Sequence, residues 1–117
     1  SSLSDAEIKK ITLNMVKCTS YMDAMATRVK SSDLELSKVL FEISERHIII
    51  ATAALEFLGY KGEKYFTYMH QQYFNETKSL AMDEIHNASN SFCDSHEVFL
   101  AKKDQISQVI VDEHFKR

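Results

Sequence analysis

Five histidines and two cysteines give this chain its widest chemical repertoire, and their spacing decides what they can do. A carboxylate-bridged di-iron site in a helical bundle needs two Glu-x-x-His pairs and two further inward glutamates. The one acid-x-x-His match on a helical stretch is Asp83 with His86, half a motif with aspartate in place of glutamate. No two histidines stand four residues apart, and no CxxCH haem attachment occurs. No resident metal or cofactor is expected. Hydrolysis needs a nucleophile, a base and an oxyanion donor, usually with a glycine-bearing turn that exposes the nucleophile. Serines are plentiful, but none sits in such a turn, and the expectation is a protein that is not an enzyme.

A four-helix phosphotransfer domain is similar in length and class, and relays phosphate through one exposed histidine with a lysine and a glycine a few residues on. His47 is followed by Ile48, Ile49 and Ile50, and His70 and His86 also lack that context, so the resemblance stops at size. His47 falls on the apolar stripe of its helix beside Glu45 and Arg46. A buried imidazole must find a hydrogen bond or give up its charge, so the expected partner is a side chain on a neighbouring helix.

Cys18 lies on the inward seam of the first helix and Cys93 near the end of a late one. They are too far apart for a CxxC redox or zinc motif. The favoured expectation is a disulfide closing a loop of about 75 residues, which chain-entropy arithmetic credits with roughly 4 kcal/mol. That bond implies an oxidising compartment, hence a periplasmic or secreted protein; two unpaired buried thiols would imply a cytoplasmic one. The start at Ser1 without methionine suits either a fragment or a mature chain after signal-peptide removal. The sequons at Asn75 and Asn87 add nothing, because such triplets are common by chance.

Aromatic residues are concentrated in one stretch. Phe57, Tyr60, Tyr65, Phe66, Tyr68, Tyr73 and Phe74 place seven of the twelve aromatics within eighteen residues. One buried stripe covers only part of a helix, so these side chains cannot all point inward. Exposed aromatics interleaved with polar residues make a protein-binding surface, and Tyr60, Tyr65, Tyr68, His70, Tyr73 and Phe74 are the candidate partner-binding residues. The competing expectation is that they cap one end of the domain, half-buried, with hydroxyls in water.

The elements that must position these groups are helices. There is no proline, and the only glycines are Gly59 and Gly62, where average usage gives about fourteen of the two types. Strand-rich small domains need many tight turns, so this chain is expected to be all-α: one domain over 1–117, a bundle of four to five helices in up-down packing. Ser4 and Glu7 form a capping box, and Ile8, Ile11, Met15, Cys18, Met22, Met25 and Val29 then recur in steps of three and four. Ser32 with Glu35 predicts the next start. The second helix carries Leu36, Leu40, Ile43, His47, Ile50, Ala54 and Phe57, widened by Val39, Phe41, Ile49 and Leu58, which suggests a central helix buried on more than one side. Gly59 to Gly62 is the next turn. A third helix is expected from near Glu63 to Tyr73, a break at Asn75–Thr77, a fourth from Thr77 to Cys93, and a restart capped by Asp94 with Glu97.

Charge and hydropathy remove two partners. A net charge of −3 with scattered Lys and Arg gives no basic field for nucleic acid. The longest apolar run, Ile48 to Leu55, is far short of the ~20 residues of a membrane span. The leading expectation is a non-enzymatic protein-interaction module that acts by binding another protein. Small bacterial inhibitor and immunity proteins that neutralise toxins are often helical domains of this size with one disulfide, and the chain resembles them in outline. The alternatives are a small-ligand carrier using His47 or His86 with the tyrosines, and a homodimeric structural subunit.

Overall fold

The computed structural model describes residues 3–116. It has five helices: α1 (Asp5–Val29), α2 (Leu34–Phe57), α3 (Gly62–Thr77), α4 (Met82–Phe92) and α5 (His96–Phe115). No strand occurs among the described residues, and the chain forms one elongated body of 50 × 26 × 22 Å. α2 returns antiparallel to α1, with Ser37 Oγ donating to the Ala26 carbonyl at the closed end. α3 runs parallel to α1, as the pairings of Lys9 with Tyr60, Asp23 with His70 and Arg28 with the Lys78 carbonyl show. α4 and α5 together make the fourth leg. α4 packs on α1, the leg breaks at Cys93–Ser95, and α5 continues along α2.

The capping box of Ser4 and Glu7 forms as expected, and its hydrogen bonds hold the Glu7 carboxyl below its ordinary range. The heptad seam faces inward along the whole of α1. At the second start the cap lies one residue later than expected. Asp33, not Ser32, accepts from Leu36 N–H, because the N–H groups of both Ser32 and Asp33 close the corner onto the Val29 carbonyl and leave Asp33 as the first extended residue. The last start shifts in the same way, with Ser95 rather than Asp94 accepting from Val98 N–H. Asn75–Thr77 do not break α3; Thr77 is buried, returns its hydroxyl to the Tyr73 carbonyl and ends the helix, so the break falls after it.

Two glycines shape the α2–α3 corner for different reasons. Gly59, at φ +93°, ends α2 in a Schellman turn, with its own N–H on Glu56 O and Tyr60 N–H on Leu55 O. Gly62 starts α3 against α2, where a Cβ would stand 2.5 Å from the Thr52 carbonyl oxygen and from Glu56 Cγ.

The central helix is α1, not α2. Twelve residues of α1 are buried against six of α2. α1 holds buried Thr12, Thr19 and Ser20 without penalty because each hydroxyl donates to a carbonyl of its own helix, at 2.6 Å. Small side chains here let α2 approach through Ser37, Ser44 and Ala51. One cluster joins Ile8, Met15, Val16, Leu55, Phe66, Phe99 and Ile106; a second joins Tyr21, Ala24, Met25 and Ile85. The flanks of α2 that its sequence gives to the core stay partly in water at Leu36, Val39, Phe41 and Ile49.

Candidate functional site

The disulfide expected from sequence is present. Cys18 and Cys93 are bonded, with Cα atoms 5.7 Å apart, and join the middle of α1 to the end of α4. The same junction is held by Asn14 Nδ2 donating to the Phe92 carbonyl at 2.9 Å and by Lys17 Nζ at 4.4 Å from the Phe92 ring centre. Lys102 pairs with Asp94 at 2.7 Å one turn beyond.

The six candidate partner-binding residues separate into two groups. Tyr60 and Tyr65 meet at the α2–α3 corner with ring centres 4.5 Å apart and planes tilted by 35°, and with Tyr73 they lean on the larger core cluster. Burial raises the Tyr73 hydroxyl above its ordinary pKa. Tyr68, His70 and Phe74 instead belong to the α2–α3 side. Tyr68 is 60% exposed and lines a shallow groove with Glu56 and Lys64. His70 and Phe74 line a neighbouring hollow of about 480 Å³ with Phe41, Ile48, Glu45 and Asp23.

His70 organises that hollow. Its Nε2–H donates to Asp23 Oδ2 at 2.9 Å, and its ring stacks between Phe66 and Phe74, at 5.6 and 5.9 Å. Phe74 also packs on the second core cluster, so it forms the floor of the hollow rather than its rim. The rim is Phe41, 41% exposed; Ile49, further along α2, is 62% exposed but does not line the hollow. Neither belonged to the aromatic stretch that drew attention in the sequence; their signal was the excess width of the apolar stripe on α2. Ser44 completes the trio Asp23, His70 and Ser44 around this hollow, but its Oγ is buried and has no hydrogen-bond partner, His70 included. Nucleophile and base are therefore not joined.

On the opposite flank of α2, His47 is 6% exposed. Its partner is not a neighbouring helix's side chain. Nδ1–H donates to the Ile43 carbonyl of its own helix at 2.9 Å, and the ring stacks on Phe99 of α5 at 3.9 Å. Burial lowers its pKa, against smaller opposing contributions from the Ile43 bond and Asp94. A cavity of about 430 Å³ opens beside it between α2 and α4, over Met22 and Met25. His86 lies on the exposed surface of α4, 3.4 Å from Asn90, which lines the cavity beside His47. No group of three or more metal-ligating side chains converges among the described residues.

No known protein family, curated protein or solved structure matches this chain. No described helix is long and apolar enough to cross a membrane.

Proposed function

We propose that this chain is a non-catalytic protein-interaction domain whose docking face is the α2–α3 side. The observation that carries the reading is a hollow lined by Phe41 and Ile48 over His70 and Phe74, with Phe41 41% exposed at its edge and with Ile49 and Tyr68 exposed on the same two helices outside it. Exposed apolar side chains scattered singly need no explanation, but aromatic and aliphatic groups gathered about one concavity are the anatomy of a binding hot spot. The same hollow supplies polar contacts from Glu45 and Gln71. A disulfide-bonded helical domain of this kind suits an oxidising compartment, periplasmic or extracellular, and action by binding and blocking another protein, as inhibitor and immunity proteins do.

The test compares the wild-type protein with a Phe41→Ser, Ile49→Ser, Tyr68→Ser variant, first in melting temperature and then in affinity capture from the source organism's extract. The expected result is unchanged folding and loss of a specific partner by the variant. A partner held equally by both would move the docking face elsewhere. Self-association of the wild type at micromolar concentration, abolished in the variant, would replace a foreign partner with a second copy.

A further inference from the structure

The hollow between α2 and α3 is one-sided in its hydrogen-bonding groups. Side-chain hydrogens in its walls are largely spent: Thr27 Oγ1 donates to the Asp23 carbonyl at 2.7 Å, Gln71 Nε2 to Asn75 Oδ1 at 3.1 Å, and His70 Nε2–H to Asp23 Oδ2 at 2.9 Å. What remains is mostly acceptors. Asp23 Oδ1 and the Glu45 carboxylate make no hydrogen bond to a described residue, and Thr27 Oγ1 and Gln71 Oε1 keep their lone pairs. Ser44 stands in the same wall, 1% exposed, and its Oγ is the one buried side-chain polar atom without a hydrogen-bond partner among the described residues. No lysine or arginine lines the hollow, and Phe41 and Phe74 supply its aromatic surface.

We propose that this hollow is the anchor site for an arginine side chain of the partner protein, its guanidinium held by Asp23 and Glu45 against the Phe41 ring. The inference rests on the α2–α3 side being the docking face and names what enters it. Guanidinium carries five donors and no acceptor, which suits walls that offer acceptors, and it can stack on an aromatic ring while it pairs with a carboxylate. Lysine brings the charge without the planar face. An anionic group would meet two carboxylates and no ammonium or guanidinium to receive it. A purely apolar group would shut water away from the Asp23 carboxylate, already only 19% exposed, and give it nothing in return. A donor seated here is also the partner that the Ser44 hydroxyl lacks.

The probe is N-acetylargininamide, titrated into the disulfide-bonded protein at about 0.15 M salt, where attraction between distant exposed charges is largely screened, and followed by nuclear magnetic resonance. Saturable shifts are expected at the Thr27 and Ile48 methyl groups and the Phe41 and Phe74 rings, with a Kd of about 10 mM, the scale of a single anchoring group. N-acetylcitrullinamide, of nearly the same shape without the charge, should bind about fivefold more weakly or worse. Glu45→Gln, at an exposed position of α2, should weaken the arginine probe about threefold. Equal binding of the two probes, shifts confined to other parts of the surface, or no saturable shift up to about 100 mM would overturn the proposal. Equal binding of the probes, together with a partner that the Phe41→Ser, Ile49→Ser, Tyr68→Ser variant loses, would remove the arginine anchor and keep the docking face.

Discussion

The two sides of α1 are built by different means. Toward α2 and α3 the contact is long and closely packed: small residues on α1 and α2 interlock, Phe66 and Leu55 fill the space between, and Gly62 lets α3 begin against the α2 backbone. Toward α4 and α5 only Ile85, Phe99 and Ile106 are fully committed to the core, and the Cys18–Cys93 bond does much of the holding. A leg broken in the middle cannot present one continuous stripe, so it buries little apolar surface per residue, and a covalent link restricts the unfolded chain where packing is thin. The firm side therefore carries exposed apolar groups at no structural risk. The strapped side contains the cavity.

The largest effect that would sharpen this contrast comes from the bond itself. Cys18→Ala with Cys93→Ala should cost about 4 kcal/mol in urea unfolding, the entropy of a loop of 75 residues. A cost under about 1 kcal/mol would mean that α4 and α5 are held by packing after all. Next, Ile106→Ala removes one of the two buried anchors of α5 and should cost about 3 kcal/mol. Gly62→Ala on the firm side should cost about 2 kcal/mol, because the methyl group meets the Thr52 carbonyl as well as the movable Glu56 side chain. A neutral Gly62→Ala would show that the α2–α3 contact has slack.

A smaller effect depends on pH. His47 titrates lower in the folded protein than its ordinary value of 6.5, so the unfolded chain binds more protons as acidity increases. Its contribution is fully present above pH 6.5 and is lost progressively as pH falls toward the depressed folded value. Asp94 and His96 face it from the α4–α5 break and contribute opposing signs. The slope of stability between pH 7.5 and 5 should flatten in His47→Phe; an unchanged slope would assign it to other groups. The smallest effect on stability is expected of Tyr68→Ala, under about 0.5 kcal/mol, with any change appearing in association.

What could be read from sequence was local. The seam of α1, the Ser4–Glu7 cap and the Gly59 turn each depend on residues within one or two helical turns, and each formed where its spacing placed it. The cysteine pair was legible because Cys18 is phased inward and Cys93 is its one counterpart. What the sequence hid was which neighbour covers which stripe. The wide apolar arc of α2 is compatible with burial on several sides or with flanks left in water, and the choice depends on the break at Cys93–Ser95, which shifts the fourth leg from α1 to α2. The site followed the same rule. His70 and Phe74 were visible within an aromatic cluster, but Phe41 and Ile48 join them only through the packing of α3 on α2. His47 was marked by its place in the stripe, while its bond to Ile43 O is an arrangement any helix can offer and no spacing announces.

The most direct test of the two-sided account is amide hydrogen exchange on the oxidised and the reduced protein, read helix by helix. The account predicts that reduction strips protection from α4 and α5 while α1, α2 and α3 keep most of theirs, with the α2–α3 face intact. Equal loss of protection across all five helices would contradict it, because the bond would then be holding the whole bundle rather than one side of it.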